Sequence, residues 1–222
     1  PQYPTNVQPF KEYVEEESDG DITVRVFADG EQGSDQELLQ KTQTGSMLMG
    51  HASINNAASY VAGLNLKNLP LLIQNTENAR NLFNSDAWTD LVTESYRSSQ
   101  LEPIGTEYVL DFRHIGVNPD VTEDGWRTPD QSEGIQIRVA GSSIVQQSFE
   151  EVGASTVNVA WTETPQSMQE GVFDAVHVSR LAHCSYGFGE FEEFVTGPNI
   201  ANAGHTLTMN KEYYDGLDQT YK

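Results

Sequence analysis

The stretch Gly134-Ile135-Gln136-Ile137-Arg138-Val139 constrains this chain most, because it combines an apolar strand pattern with one arginine near its end. A glycine precedes the apolar residues and Ala140-Gly141-Ser142-Ser143 follows them, so both ends of the predicted strand are clear. In open α/β sheets, ligands bind in the crevice beyond the carboxyl ends of the strands. Arg138 is therefore predicted to lie at such a crevice, where it can bind an anion.

Segments with helix and strand patterns alternate along both halves of the chain. Residues 22–27 alternate in the manner of a strand, and Ser34 with Glu37 forms a capping-box sequence that begins a helix. Apolar residues recur at helical spacing over residues 75–98, which predicts one long helix. The alternation predicts an α/β fold with mainly parallel sheets. At 222 residues, the chain can form one large domain or two lobes of about 100 residues each.

The charge balance excludes several classes of partner. The chain carries 33 acidic and 12 basic residues, for a formal net charge of −21. Nucleic acids and anionic membrane surfaces require basic patches, so we expect no nucleic-acid partner. No apolar run approaches the roughly 20 residues of a membrane span, so we expect no membrane insertion. High salt would screen the repulsion within such an acidic coat, and this suggests a halophilic source.

Arginine is scarce in this chain, and two arginines follow predicted strands. Arg113 comes directly after the predicted strand at residues 104–112 and thus takes the same kind of position as Arg138. Two guanidinium groups at one crevice match a carboxylate, since each can donate paired N–H bonds to it. The alternative for both arginines is a surface ion pair that neutralises part of the acidic coat. For Trp161 the alternative to ligand contact is an ordinary core anchor.

The sequence contains few signs of catalysis or metal binding. His177, His183 and Cys184 lie close together, but their spacing matches neither an HExxH nor a CxxC motif. A GxSxG nucleophile motif and a glycine-rich phosphate loop are both absent from the sequence. We therefore expect no metal, no cofactor and no enzymatic activity. A hydrolase that uses His177 or Cys184 is the least supported alternative, because no oriented nucleophile and base are visible.

Several segments resemble, in their order along the chain, the substrate-binding proteins of TRAP transporters, the DctP-type family of extracytoplasmic solute receptors. The most specific match is Gly134-Ile135-Gln136-Ile137-Arg138-Val139, followed by Ala160-Trp161-Thr162-Glu163. Earlier matches are Gly33-Ser34-Asp35-Gln36-Glu37 and Phe112-Arg113-His114-Ile115. Together, the matches cover nearly the whole chain.

The resemblance implies a two-lobed, periplasmic-binding-protein-like fold whose interlobe cleft closes on a small organic acid. Such a receptor works in the periplasm and delivers its ligand to the membrane permease of the TRAP transporter. Lobe I would comprise residues 1–110 and 204–222, and lobe II residues 111–203, with the chain truncated at both ends relative to the family. A ligand-sensing module of a signalling system has the same fold and remains an alternative.

The resemblance also implies which residues bind the ligand. Arg138 takes the place of the carboxylate clamp, Arg113 that of a second, assisting arginine, and Trp161 that of the aromatic residue that stacks on the ligand. The weaker assignments are Asp35, Ser53, Asn56 and Ser142.

One departure from the family affects the expected ligand. Val178 stands where the family has an asparagine that bonds the ligand carboxylate. A valine side chain cannot form that bond, so His177 or Ser179 is expected to replace it. The resemblance therefore assigns Arg138 as the clamp and leaves the identity of the acid open.

Overall fold

The structure is a computed structural model that describes residues 7–28, 30–122, 125–192, 194–197 and 201–222. The α-helices are α1 (Val7–Glu17), α2 (Asp35–Gln43), α3 (Ile54–Ala57), α4 (Thr76–Phe83), α5 (Asp86–Ser98), α6 (Ser143–Glu150), α7 (Thr164–Gln169), α8 (Arg180–Ser185) and α9 (Lys211–Gly216). The strands are β1 (Met49–Ser53), β2 (Leu101–Val117), β3 (Gln136–Arg138), β4 (Ser155–Val157), β5 (Ala175–Ser179), β6 (Phe194–Thr196) and β7 (Asn202–Asn210).

Capping side chains explain where the first helices begin. Ser34 accepts a hydrogen bond from the backbone N–H of Glu37, and the Glu37 carboxylate accepts one from the Ser34 N–H at 2.8 Å, so the predicted capping box is confirmed. The predicted single helix over residues 75–98 is wrong. Ser85 accepts a hydrogen bond from the N–H of Trp88 and begins α5 as its N-cap, which divides the segment into α4 and α5.

The strands form one sheet in the order β1-β7-β2-β5-β3-β4, with β6 also paired to β2. The predicted α/β class is confirmed, but the prediction of mainly parallel sheets is wrong for the described strand pairs. β3 runs parallel to β4 and β5, whereas β2 and β7 make antiparallel pairs with each other and with their remaining neighbours. The alternation of helices and strands does not determine strand direction: residues 118–201 separate β7 from β2, and the two strands still pair antiparallel, as do β5 and β2.

Residues 22–27 were predicted to form a strand, and that prediction is also wrong. Their exposure alternates from residue to residue, as in a strand, but they take part in no sheet pairing within the described chain. The N–H of Val24 instead donates to the Glu15 carboxylate of α1 at 2.9 Å. An alternating pattern reports one buried face, and it does not identify a pairing partner.

The long strand β2 contributes to two of the hydrophobic cores. Its residues Leu101 and Phe112 pack into a core with α4 and α5, and Ile115 and Val117 pack into a second core with β3, β5 and α6. A third core lies around Phe173, between β5, α7 and α8. The lobe boundaries proposed from the sequence stay a prediction. Among the described residues, none of the helices has the length and apolar composition needed to cross a bilayer.

Candidate functional site

A cavity of about 1610 Å³ lies between the β1–β7 end of the sheet and the elements around β3 and β5. It is lined on one side by residues of α2, β1 and β7, and on the other by residues of β2, β3 and β5. Seven of the nine residues that the sequence assigned to ligand binding line this cavity: Asp35, Ser53, Asn56, Arg113, Arg138, Trp161 and Ser179.

The cavity wall reverses the charge balance of the chain. The basic residues among its lining are Arg25, Arg113, Arg138 and Lys222, whereas Asp35 is the acidic residue of that lining. The chain has a net charge of −21, but the lining of this cavity carries more basic than acidic residues. Local positive potential is needed to attract an anion against the field of the whole molecule.

Arg138 ends β3 and is only 2% exposed. Its Nε and Nη2 donate to the main-chain carbonyl oxygen of Val159 at 3.1 and 2.8 Å, which fixes the plane of the guanidinium group. Burial lowers the pKa of Arg138 to about 10, and attraction to Asp35 opposes that shift. The group therefore stays protonated at neutral pH although it has no ion-pair partner among the described residues.

Arg113 lies opposite Ser179 in the antiparallel ladder of β2 and β5. Its Nη2 donates to the main-chain carbonyl oxygen of His177, and its buried Nε has no hydrogen-bond partner within the described structure. Burial lowers the pKa of Arg113 to about 9, and repulsion from Arg138 adds to the shift. An anion bound beside both guanidinium groups would relieve this repulsion and supply the missing acceptor.

Trp161 provides an aromatic surface next to Arg138. The centre of its ring lies 5.8 Å from the Arg138 guanidinium carbon, within the range of a cation–π contact. Tyr186 packs edge-on against Trp161, with ring centroids 5.0 Å apart. The indole ring is half-buried and lines the cavity, so one apolar surface adjoins the positive charge.

Asp35, Ser53 and Asn56 form a connected polar group on the opposite side of the cavity. The Oδ2 atom of Asp35 accepts hydrogen bonds from the Ser53 N–H and from Asn56 Nδ2, both at 2.9 Å. Asn56 Oδ1 in turn accepts from the N–H of Gly141 at 2.9 Å. Asn56 thus joins the first turn of α2 to the loop that follows β3, and it orients the Asp35 carboxylate.

Ser142 and His177 are the two assigned residues that do not line the cavity. Ser142 is fully buried as the N-cap of α6, and its hydroxyl group donates to Asn65 Oδ1 and accepts from Asn68 Nδ2, both at 2.9 Å. His177 is fully buried against Phe149, with ring centroids 5.2 Å apart. Of the two residues expected to replace the missing asparagine, the structure brings Ser179 to the cavity and leaves the His177 side chain in the core.

Lys67 is a buried cation that the sequence did not reveal. It is 1% exposed, and its Nζ donates to Asn68 Oδ1 at 2.9 Å and to the Asn202 carbonyl oxygen at 3.0 Å. Burial, with repulsion from Arg113, holds the pKa of Lys67 well below its ordinary value. The residue lies in the last turn of a 3₁₀ helix, Ala62–Asn68, in a segment where the sequence predicted only an irregular connector. Neither the charge pattern nor the periodicity of the sequence therefore predicted that Lys67 is buried.

The described residues do not assemble a metal centre or a cysteine–histidine pair. No group of three or more His, Cys, Asp and Glu side chains within the described chain could hold a metal ion. Cys184 is exposed on α8, whereas His177 is fully buried. His183 binds Glu192 through Nδ1 in a buried pair, so its ring is held by a structural contact.

Comparison with curated proteins finds relatives of low identity along nearly the whole chain. The chain is 22% identical over 223 residues to the 2,3-diketo-L-gulonate-binding periplasmic protein YiaO of Escherichia coli, with 96% of this chain and 63% of that protein covered. It is 23% identical over 213 residues to the C4-dicarboxylate-binding periplasmic protein DctP of Rhodobacter capsulatus, with 94% and 61% covered. The chain thus spans less than two thirds of the length of these relatives.

Solved structures share the fold. One is a TRAP periplasmic solute-binding protein from a Sulfitobacter species with bound β-D-galacturonate. It superposes with a TM-score of 0.85 at 21% identity, and the match covers 97% of this chain and 70% of the Sulfitobacter chain. One from Pseudomonas aeruginosa, with bound L-malate, gives a TM-score of 0.82 at 18% identity, with 96% and 72% covered. At these identities the similarity establishes the two-lobed solute-binding-protein fold.

The family match extends over the whole chain. The profile of the DctP family, described as bacterial extracellular solute-binding protein, family 7, matches residues 1–222. The members and structural neighbours named above are solute-binding receptors. The chain therefore belongs to the DctP family of bacterial extracellular solute-binding proteins.

Proposed function

We propose that this chain is the solute-binding part of a TRAP transporter receptor and that it binds a small organic acid. The observation that supports this most directly is the pair of buried arginines at one cavity. Arg138 and Arg113 are 2% and 7% exposed, line the same cavity, and have no ion-pair partner in the described chain. Buried charges are costly unless they are paired, so a carboxylate ligand is the expected partner.

The ligand would bridge the two sides of the cavity. Its carboxylate would lie against Arg138 and Arg113, with Trp161 packed on its carbon skeleton and Ser179 near the clamp. Hydrogen bonds such as that of Asn56 with Gly141 link the two sides and would add to the stability of a closed form. A ligand that contacts both sides favours closure because it gains its additional contacts only there.

Receptor function implies binding without turnover. The closed receptor would deliver the acid to the membrane permease subunits of the TRAP transporter on the periplasmic side. This role requires one ligand per chain and no chemical change in the ligand.

A thermal-shift screen of small carboxylates, run at high and at low salt, tests the proposal. A ligand that binds only the folded state raises the unfolding temperature by mass action, and no knowledge of the natural substrate is needed. We expect at least one carboxylate to raise the unfolding temperature and to be recovered unchanged after incubation. Product formation from such a ligand, or the failure of every carboxylate to bind at either salt concentration, would overturn the proposal.

A further inference from the structure

The loop that follows β3 contacts the opposite side of the cavity at two neighbouring residues, and the two contacts differ in burial. Ser142 is 0% exposed, and its hydroxyl group accepts a hydrogen bond from Asn68 Nδ2 and donates one to Asn65 Oδ1, both at 2.9 Å. The N–H of Gly141 donates to Asn56 Oδ1 at 2.9 Å, and both of these residues are half-buried. One loop is therefore joined to the 3₁₀ helix by a fully buried contact and to α3 by a partly exposed one.

The difference in burial determines which of the two contacts can open. Separation of Ser142 from its two asparagine partners would leave buried polar groups without hydrogen bonds, which is costly. Water can replace the contact between Gly141 and Asn56, because both residues are already accessible to solvent. The Ser142 contacts are therefore suited to a pivot, and the Gly141 contact is suited to open and close.

The side-chain amide of Asn56 matches both of its partners. Its Nδ2 donates to Asp35 Oδ2 at 2.9 Å, while its Oδ1 accepts from the N–H of Gly141. The Ser53 N–H donates to the same carboxylate oxygen and so holds Asp35 in place. A carboxylate accepts hydrogen bonds and an N–H donates them, so a group that joins the two must offer both a donor and an acceptor. An amide meets this requirement without a net charge.

Gly141 has no side chain at the point where the two sides of the cavity meet. A Cβ atom at this position would lie 2.8 Å from Gln36 Nε2 of α2 and 3.6 Å from Asn56 Oδ1. Gly141 is not among the described residues with a positive φ, so its backbone conformation does not itself require glycine. The residue also lies outside the cavity lining. A side chain there would therefore affect a bound acid only through the approach of the two sides.

We propose that Asn56 and Gly141 form a latch that holds the closed receptor and slows the release of a bound acid. The inference rests on the proposed receptor function, since the latch can retain an acid only if the cavity binds one. Asn56 is a positioning residue in this arrangement, because it fixes the loop that follows Arg138 against Asp35. Formation of the latch raises the closed fraction of the receptor, and the apparent dissociation constant falls as that fraction rises.

Replacement of Asn56 by aspartate tests the latch, because this variant can form it only in acid. At neutral pH the new carboxylate repels Asp35 and has no proton to donate, whereas the protonated group again offers a donor and an acceptor. Arg138 and His51 interact electrostatically with Asp35 in the described structure, and the His51 ring stacks on His205 of β7. Burial lowers the pKa of His51 to about 4, so His51 stays neutral between about pH 5 and about pH 7.5.

The probe is the small carboxylate that gives the largest thermal shift in the screen, and calorimetry with stopped-flow kinetics measures its affinity and its dissociation rate. Relative to wild type at the same pH, we expect Asn56→Asp to lose at least about tenfold in affinity at about pH 7.5, through faster dissociation, and to recover most of it at about pH 5. The matched control is Asn78→Asp, which adds the same charge at an exposed position of α4 outside the cavity lining. Equal affinity in the two variants at about pH 7.5, or a loss that persists unchanged at about pH 5, would overturn the latch.

Gly141→Val tests the same latch from the other side of the cavity. The valine side chain would occupy the space beside Gln36 and Asn56, and we expect affinity for the same carboxylate to fall by at least about tenfold at both pH values. Gly189→Val is the matched control, because a Cβ atom at Gly189 meets nothing within 4 Å. Wild-type affinity in folded Gly141→Val would overturn the latch while leaving receptor function intact. Failure of every carboxylate in the screen to bind the unmodified chain would overturn both.

Discussion

The guanidinium group of Arg138 and the carbonyl oxygen of Val159 form a paired contact, with Nε and Nη2 both donating to the same oxygen at 3.1 and 2.8 Å. This contact uses one edge of the guanidinium group and leaves Nη1 for another acceptor. Trp161 lies beside the same group at 5.8 Å. The backbone carbonyl group of Val159 thus fixes the orientation in which Arg138 can donate hydrogen bonds to a ligand. The guanidinium group of an exposed arginine would be free to rotate.

The first prediction is that Arg138→Ala lowers affinity for the carboxylate found in the screen by about 2–5 kcal/mol, because one partner of a buried charge pair is lost. Arg138→Lys should also bind weakly, because an ammonium group cannot reproduce the planar fork held by Val159. Calorimetry measures both. The matched control is Arg80→Ala, since Arg80 is exposed on α4 and lies outside the cavity lining. Equal affinity in Arg138→Ala and the control would remove Arg138 as the clamp.

The second prediction is that ligand binding changes the fluorescence of Trp161. This ring is half-buried at the cavity, whereas Trp88 and Trp126 are 3% and 5% exposed in the hydrophobic cores. A ligand that packs on Trp161 changes its solvent contact and leaves the other two indoles in place. Titration of the unmodified chain should therefore quench or shift the emission, and Trp161→Phe should abolish that change. A signal of the same size in Trp161→Phe would assign it to another tryptophan.

Local features of the fold could be predicted from the sequence because each depends on a few neighbouring residues. The capping box of Ser34 and Glu37 and the position of Arg138 at the end of β3 are of this kind. Strand direction could not be predicted in the same way. The antiparallel pairing of β2 with β7 joins residues that are far apart in the chain, and the alternation at residues 22–27 contained no information about a partner strand.

In the candidate site too, the local sequence predicted the position of a residue along the chain but not the contacts of its side chain. Ser142 follows β3, as expected, but it is also the N-cap of α6. Its hydroxyl group accepts hydrogen bonds from the Val145 N–H and from Asn68 and donates one to Asn65, so it is engaged within the protein. His177 and Ser179 share one face of β5, but Ser179 ends the strand as the N-cap of α8 and lines the cavity, whereas His177 packs into the core against Phe149. The stacking of His51 on His205 depends on the register of β1 and β7, which no local pattern specifies.

The third prediction concerns pH and His177. Burial, with repulsion from nearby cations, beginning with Arg113, holds the pKa of His177 well below its ordinary value of 6.5, so the folded chain keeps the ring neutral. The unfolded chain binds a proton on this residue below about pH 6.5 and the folded chain does not. The contribution of His177 to the free energy of unfolding is therefore constant above about pH 6.5. Below that pH, the free energy of unfolding falls by about 1.4 kcal/mol for each pH unit of acidification.

Denaturant unfolding of wild type and His177→Leu over a series of pH values measures this contribution. Both ring nitrogens of His177 are buried without a partner in the described structure, so an apolar side chain removes two unsatisfied groups. We expect His177→Leu to be at least as stable as wild type at neutral pH and to lose stability less steeply in acid. Identical slopes for the two proteins would show that His177 does not titrate between the folded and unfolded states.

The fourth prediction is that salt stabilises the fold. The chain carries 33 acidic and 12 basic residues, and the Lys–carboxylate and Arg–carboxylate pairs seen in the described structure are few: Lys11–Glu15, Arg97–Glu102 and Lys211–Asp215. Most acidic groups therefore repel one another, and this repulsion is screened when the Debye length falls from about 30 Å at low salt to about 3 Å at molar salt. Thermal unfolding in increasing KCl should show a rising midpoint near neutral pH. Near pH 4.3, where the net charge is close to zero, the same salt series should have little effect. Full stability in near-zero salt at neutral pH would contradict a halophilic adaptation of this acidic coat.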